Sequence, residues 1–105
     1  MAAPITISSQ RHLDDDLVAA KLAASDFDVA VSPEFDIDGQ TYCVVLDGHH
    51  SFAAAKLANA DVNFIERDAS DDDRVALILA GQIDDFLEVS RIDSDYYNIM
   101  TGHDL

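Results

Sequence analysis

Five consecutive residues near the middle of the chain carry groups that can bind ions and transfer protons. They are Asp47, Gly48, His49, His50 and Ser51, and they lie between a run of strand-forming residues and an alanine-rich run. A turn from a strand into a helix presents free backbone N–H groups and the positive end of the helix dipole, which favours an anion. Imidazole can donate to phosphate oxygens or bind a metal ion, and a carboxylate can orient the imidazole. The motif therefore predicts a phosphate-binding turn.

An explanation without any ligand also fits these residues. Asp47 can cap the helix and one of the two histidines can be a buried core residue, since short motifs often occur by chance. The remaining candidate ligands, His12, Cys43 and His103, do not have the paired spacing of a structural zinc site. The sequence also has no phosphate loop of the Gly-x-x-x-x-Gly-Lys type. We assign no metal ligand and no catalytic residue, and whether the chain is an enzyme stays open.

The chain is strongly acidic, which restricts its binding partners. It has 21 Asp and Glu residues against 6 Lys and Arg, for a net charge of −15 at pH 7. Nucleic acid is bound by basic surfaces, so direct binding of nucleic acid is not expected. We favour a solvated acidic surface, which is the usual role of charge runs. The alternative is an acidic surface that imitates phosphate and engages a basic surface on a partner protein.

Length and composition predict one domain in the cytoplasm. A chain of 105 residues has the typical size of a single domain, here taken as 1–105. The only cysteine, Cys43, excludes an internal disulfide and favours a reducing compartment. No apolar run reaches the roughly 20 residues of a membrane span. Residues 1–6 lack the basic and apolar regions of a secretory signal.

The pattern of apolar residues up to position 67 predicts alternating strands and helices. Strands are predicted at 5–8, 27–31, 35–37, 40–46 and 62–65, and helices at 14–24 and from His49 or Ser51 to Ala58. Asp38-Gly39 between two alternating runs predicts a hairpin. The strand at 40–46 is apolar on both sides, which indicates a central strand with both faces covered. We therefore predict an α/β (α+β) fold with a small mixed sheet and packed helices.

The last third of the chain predicts one further helix and a tail. Ser70 can cap the helix, with Asp73 in the acidic position of a capping box. Apolar residues at 75–87 recur at helical spacing, and we expect this stripe to pack on the sheet rather than on a partner protein. Gly81 weakens the helix by about 1 kcal/mol relative to Ala. The tail at 93–105 has no clear period and is expected to lie across the domain.

Part of the sequence resembles the signature segment of the ParB/sulfiredoxin superfamily. It is the stretch 45–57, which reads Val-Leu-Asp-Gly-His-His-Ser-Phe-Ala-Ala-Ala-Lys-Leu. In that superfamily a strand enters a glycine-containing turn that is followed by an alanine-rich helix. The Asp-Gly-His-His version is similar to that of the ParB-like nucleotide-binding proteins, which include the free serine kinases. The order of the predicted elements extends the resemblance to residues 5–67, and residues 70–105 lie outside it.

The resemblance implies a small domain in which the glycine turn contacts the phosphates of a nucleotide. Asp47, Gly48, His49 and His50 match the motif position by position, and the implied ligands are ATP, ADP or CTP with Mg²⁺. The implied activities are phosphoryl transfer, nucleotide hydrolysis and nuclease action. Ser51 departs from the family, whose members usually have Arg there. A hydroxyl cannot replace a guanidinium that binds phosphate through two parallel hydrogen bonds.

Two hypotheses of function follow. The first is a ParB/sulfiredoxin-like nucleotide- or phosphate-binding protein, with metal-dependent phosphoryl transfer or hydrolysis as its catalytic form. The alternative is a non-catalytic acidic interaction protein that binds a basic partner surface, such as a phage- or plasmid-type regulator or an anti-defence inhibitor. A redox role like that of sulfiredoxin would need a cysteine in the glycine turn, whereas Cys43 lies in the preceding strand.

Overall fold

The computed structural model describes residues 4–105 and has six strands and four helices in that range. The elements in chain order are β1 Ile5–Ser8, α1 Asp15–Ala23, β2 Asp28–Val31, β3 Phe35–Ile37, β4 Gln40–Asp47, α2 His49–Ala58, β5 Asn63–Glu66, α3 Val75–Leu79, α4 Ile83–Ser90 and β6 Tyr97–Asn98. The predicted α/β fold class is confirmed, because the strands form one mixed sheet with helices packed against it. Residues 1–3, part of the segment predicted to lack a secretory signal, lie outside the described range.

β4 is the central strand of the sheet, whose strand order is β5-β2-β4-β1-β6. β1 runs parallel to β4 on one edge, while β2 and β3 both run antiparallel to it on the other. Pro33 separates β2 from β3, since proline has no N–H to donate to the ladder. In this gap the Ser32 hydroxyl accepts a hydrogen bond of 2.9 Å from the Val44 N–H. The Asp38-Gly39 turn closes the hairpin of β3 and β4 as predicted.

The side chains of β4 alternate between two hydrophobic clusters. Val44 and Leu46 join a cluster that includes residues of α3 and α4. Cys43 and Val45 join a second cluster that includes Phe52 of α2. Both sides of the strand are therefore covered, as its apolar alternation predicts. Burial raises the pKa of the Cys43 thiol, which behaves as a small apolar core residue.

The start of α1 is also as predicted. Asp14 is the N-cap, and its carboxylate accepts hydrogen bonds from the N–H groups of Asp16 (2.8 Å) and Leu17 (3.3 Å). Asp15 and Asp16 occupy the first turn, where the dipole favours negative charge. The three aspartates thus have a complete structural explanation, and α1 packs mainly on α2.

The prediction of one helix beginning at Ser70 is wrong, because the segment folds into two short helices joined by a turn. Gly81, between α3 and α4, has φ +76°, a left-handed conformation that ends a helix. Ser70 does not cap α3; its hydroxyl donates to the carboxylate of Asp68 at 2.5 Å in a preceding turn. The apolar stripe still reaches the sheet, since Val75 and Phe86 are fully buried in the core.

The C-terminal tail is more ordered than its irregular pattern indicates. Tyr97 and Asn98 form β6, which pairs antiparallel with β1 through Ser8 and Ile7. The next residue, Ile99, is buried and packs in the cluster beneath α2. The tail therefore crosses the domain, as expected, and adds an edge strand to the sheet.

Candidate functional site

The predicted motif lies where three strands come side by side. Asp47 is the last residue of β4 and pairs with Ala30 of β2, which in turn pairs with Ile65 of β5. The β2–β4 register shifts between Ala30 and Val31, an irregularity that redirects side chains and often occurs next to functional sites. A groove begins beside the paired residues Asp47, Ala30 and Ile65 and continues past the first turn of α2.

Four of the five predicted residues line this groove. Asp47, Gly48, His50 and Ser51 border an opening of about 230 Å³. A second opening, toward α3, shares Ala30, Asp47 and Arg67 with the first. We call the two openings together the Asp47 groove. His49 does not line either opening, so the structure separates the two adjacent histidines.

Gly48 is required by packing between the strands and α2. Its φ is +99°, and a Cβ atom added there would lie 2.7 Å from the Asp28 carbonyl oxygen and 2.9 Å from the Val29 Cα. A side chain at this position would therefore collide with the backbone of β2. The backbone that comes close to Gly48 is that of the neighbouring strand β2.

His50 joins the starts of two helices. Its Nε2 accepts a hydrogen bond of 3.1 Å from the backbone N–H of Asp14, the N-cap of α1. An accepting Nε2 carries no proton, so the neutral ring holds its proton on Nδ1. The half-buried residue borders the Asp47 groove.

Ser51 is buried and lines the groove together with Asp26. The Asp26 carboxylate accepts a hydrogen bond of 2.9 Å from Nζ of Lys21, and this hydrogen bond is the main reason that the pKa of Asp26 is lowered. Position 51 thus places a small hydroxyl in the same groove as the Lys21–Asp26 ion pair.

His49 points away from the groove and is buried against β1. Its Nε2 lies 2.6 Å from the Ser8 hydroxyl oxygen, and the residue is 5% exposed. Burial is the main cause that lowers the pKa of His49 from 6.5 to about 4. The ring is therefore neutral at physiological pH, with no charge to attract a phosphate.

The groove contains half of the basic side chains of the chain. Lys21, Arg67 and Arg74 line it, out of six lysines and arginines. Arg74 is paired with Asp72 at 2.6 Å, as Lys21 is with Asp26. Arg67 belongs to none of the ion pairs formed within residues 4–105, although 21 acidic residues are present. Its guanidinium is therefore available to an added anion.

The first turn of α2 offers backbone donors at the same place. The Phe52 N–H donates to the Gly48 carbonyl, and the Gly48 N–H donates to Asp47 Oδ1 at 2.8 Å. Within the described part of the chain, no acceptor is recorded for the N–H groups of residues 49–51. Helix N-termini with free N–H groups are suited to anions.

A resident metal ion does not fit the described residues. Between positions 4 and 105, no three His, Cys, Asp or Glu side chains converge as metal ligands. The carboxylates of the groove are partly engaged already: Asp26 and Asp72 in ion pairs, and Asp28 with the Asn63 amide at 2.9 Å. A Mg²⁺ ion could only arrive with a ligand that supplies most of its oxygens.

Sequence reasoning missed Lys21 and Arg67 as residues of the site. Arg67 follows β5, and only the pairing of β5 with β2 carries it to Asp47, which is 20 positions earlier in the chain. Lys21 lies on α1 and reaches the groove because α1 packs on α2. The one signal in the sequence was the small number of basic residues. With only six Lys and Arg residues in so acidic a chain, each is a candidate for a binding site.

Comparisons with known proteins give no relative from which a function could be transferred. No family model, no curated protein and no solved structure matches this chain. Among the helices of residues 4–105, none combines the length and apolar character that a membrane crossing requires.

Proposed function

We propose that the Asp47 groove binds the phosphate group of a small ligand, with a nucleotide as the first candidate. The observation that carries the proposal is Arg67, a guanidinium without a carboxylate partner in the described ion pairs, bordering the same groove as the first turn of α2. A guanidinium and free backbone N–H groups together match the oxygens of a phosphate.

Arg67 supplies the group that position 51 lacks. The resemblance to ParB-like proteins implies an Arg directly after the two histidines, where this chain has Ser51. In the folded chain a guanidinium reaches the groove from the end of β5 instead. The Nδ1–H of His50 adds a neutral donor. These groups support a ParB/sulfiredoxin-like role of the glycine turn with a different source of positive charge.

The charge of the groove favours a phosphate that carries its own cation. Asp47 is exposed, and no ion pair of the described residues includes it. A bare polyphosphate would be repelled by this carboxylate, whereas Mg²⁺ bound mainly by phosphate oxygens accepts one or two carboxylates. We therefore propose the Mg²⁺ complex of ATP, ADP or CTP as the ligand. The proposal concerns binding, and no residue is assigned to phosphoryl transfer or hydrolysis.

Isothermal titration with ATP, ADP, CTP and inorganic phosphate, each with and without Mg²⁺, tests the proposal. We expect saturable binding of at least one nucleotide in the presence of Mg²⁺. Arg67→Gln should weaken it about 10- to 150-fold, because a hydrogen bond to a charged group contributes about 1.5–3 kcal/mol. Arg91→Gln is the control, since it also removes the positive charge of one arginine but lies outside the groove. Absence of both heat and thermal shift with every ligand would rule the proposal out.

The second candidate function is an acidic protein that binds a basic partner surface. It is favoured by the ion-pair pattern: within residues 4–105, only four of the 21 acidic side chains pair with Lys or Arg. Unpaired exposed carboxylates steer basic partners and lose this effect in salt. A pull-down at low and high salt separates the candidates. Partner retention that is unchanged at high salt would contradict an acidic docking surface.

A further inference from the structure

A second pocket lies at the side of α2 and differs from the Asp47 groove in its charge. It has a volume of about 250 Å³ and shares no lining residue with the groove. Its charged lining residue is Lys56, and no Asp or Glu lines it. Four other pockets of the described chain each have at least one Asp in their lining. Among these five pockets of residues 4–105, the absence of carboxylates is thus confined to this one, although the chain has 21 acidic residues.

The floor of this pocket is apolar. Phe52 and Ile99 are buried in the hydrophobic core below it, and Leu13 and Ala53 are half-buried at its wall. Ligand pockets in proteins usually measure roughly 300–1,000 Å³, so this one is slightly smaller than that range. The floor therefore suits a short apolar chain or a small ring rather than a nucleotide.

Lys56 is available to a ligand. It belongs to none of the ion pairs of residues 4–105, and its Nζ lies 5.7 Å from the centroid of the Phe52 ring. Lysine side chains on a helix lean toward the N-terminus, so the ammonium reaches back over the turn that leads to His49. His49 lies two turns before Lys56, on the same side of α2, and both line the pocket.

The hydrogen bonds of Ser8 fix the position of the proton on His49. The Ser8 oxygen accepts a hydrogen bond of 3.1 Å from the Gln10 N–H and lies 2.6 Å from His49 Nε2. Within the described residues, His49 Nε2 is the one acceptor within reach of the buried Ser8 hydroxyl. The hydroxyl therefore donates its proton to Nε2. His49 then carries its own proton on Nδ1. Within residues 4–105 Nδ1 has no hydrogen-bond partner, and it is not one of the fully buried unpaired side-chain atoms, so it stays accessible to a ligand.

We propose that this pocket binds a small apolar carboxylate. Its charged end would lie between the Lys56 ammonium and the Nδ1–H of His49, and its apolar part would lie on Phe52 and Ile99. The pocket then has a function independent of phosphate binding in the Asp47 groove. The ligand class follows from the lining: one cation, one neutral N–H donor and an apolar floor without any carboxylate.

Octanoate and 1-octanol, which share a chain and differ in charge, are the probes. Amide chemical shifts in NMR titrations of the full chain report the site and the affinity. We expect octanoate to shift the resonances of the pocket and to bind about tenfold more tightly than octanol, as a charge-assisted hydrogen bond predicts. The Nδ1–H resonance of His49 should move with octanoate, and inorganic phosphate should not compete.

Two variants and one control decide the outcome. Lys56→Gln should reduce octanoate binding to the level of octanol, and Ala53→Leu should fill the pocket and prevent binding of both. Arg91→Gln removes one positive charge elsewhere and should leave octanoate binding unchanged. Equal affinity of octanoate and octanol for the unmodified chain would overturn the proposal. The proposal would also be overturned if Lys56→Gln bound octanoate as tightly as the unmodified chain does. Circular dichroism shows whether this variant is folded.

Discussion

The Ser8 hydroxyl oxygen lies 2.6 Å from Nε2 of His49, and this buried contact joins the end of β1 to the first residue of α2. The two residues are 41 positions apart in the chain. The contact withdraws His49 from the groove that its neighbour His50 borders. The two adjacent histidines therefore face different places: His49 is buried beside the second pocket, and His50 borders the Asp47 groove.

The stability of the protein should fall as the pH is lowered through the range from 6.5 to 4. His49 has a pKa of about 4 in the folded chain, because it is buried, and 6.5 in the unfolded chain. Between these values the unfolded state binds more protons, so its population rises as the pH falls. The full stability is present above pH 6.5. By pH 4, protonation of His49 lowers the free energy of unfolding by about 3 kcal/mol.

Urea unfolding at pH 7.5, 6, 5 and 4 measures this effect. The difference from His49→Gln isolates the histidine, because all other groups are the same in the two proteins. The glutamine amide can keep a hydrogen bond to Ser8 and does not titrate. We expect a shallower decline for His49→Gln between pH 6.5 and 5. Parallel curves for the two proteins would show that His49 is not held neutral by burial.

Gly48→Ala should destabilise the fold strongly. The added Cβ would meet the Asp28 carbonyl oxygen at 2.7 Å, and the residue has φ +99°. We expect a loss of about 3 kcal/mol or more, because a backbone clash adds to the cost of a positive φ. Gly39→Ala is the matched control, since Gly39 also has a positive φ, +83°, but has nothing within 4 Å of a Cβ. A smaller loss for Gly48 than for Gly39 in chemical denaturation would contradict the packing of α2 on β2.

Asp14→Ala should remove the N-cap of α1. The Asp14 carboxylate accepts from the N–H groups of Asp16 and Leu17, and its loss leaves both donors to solvent. We expect a decrease in the free energy of unfolding of about 1 kcal/mol. Asp15→Ala removes an acidic side chain one position later that makes no cap hydrogen bond and should cost less. Equal losses would indicate a charge effect rather than a cap.

Phe86→Ala should show that α4 is anchored in the main core. Phe86 is fully buried, and its ring packs edge-on against Phe35 at a centroid distance of 5.8 Å. Truncation of a buried phenylalanine costs about 3–5 kcal/mol. Leu79→Ala on α3 is the control, since Leu79 is 69% exposed and should change stability little. A small effect at Phe86 would mean that the last third of the chain packs differently.

The sequence predicted most elements of the fold because their signals are local. Alternation along β4, the Asp38-Gly39 turn and the aspartates before α1 each act over a few residues, and each is confirmed. The error at Gly81 has a physical reason. An apolar stripe determines which side of a helix is buried. It does not determine whether the backbone stays helical between two buried residues such as Val75 and Phe86. The stripe is satisfied equally by two short helices with a left-handed glycine between them.

The candidate site also has one part that the sequence predicts and one part that only the tertiary structure decides. The sequence by itself identified the turn, since strand, glycine, histidines and alanine-rich helix are contiguous. Tertiary structure alone decided which histidine is buried and which cation reaches Asp47. Both outcomes depend on strand pairing, β1 with β4 for His49 and β5 with β2 for Arg67. Pairing partners are set by long-range packing of apolar faces, and no spacing along the chain encodes them.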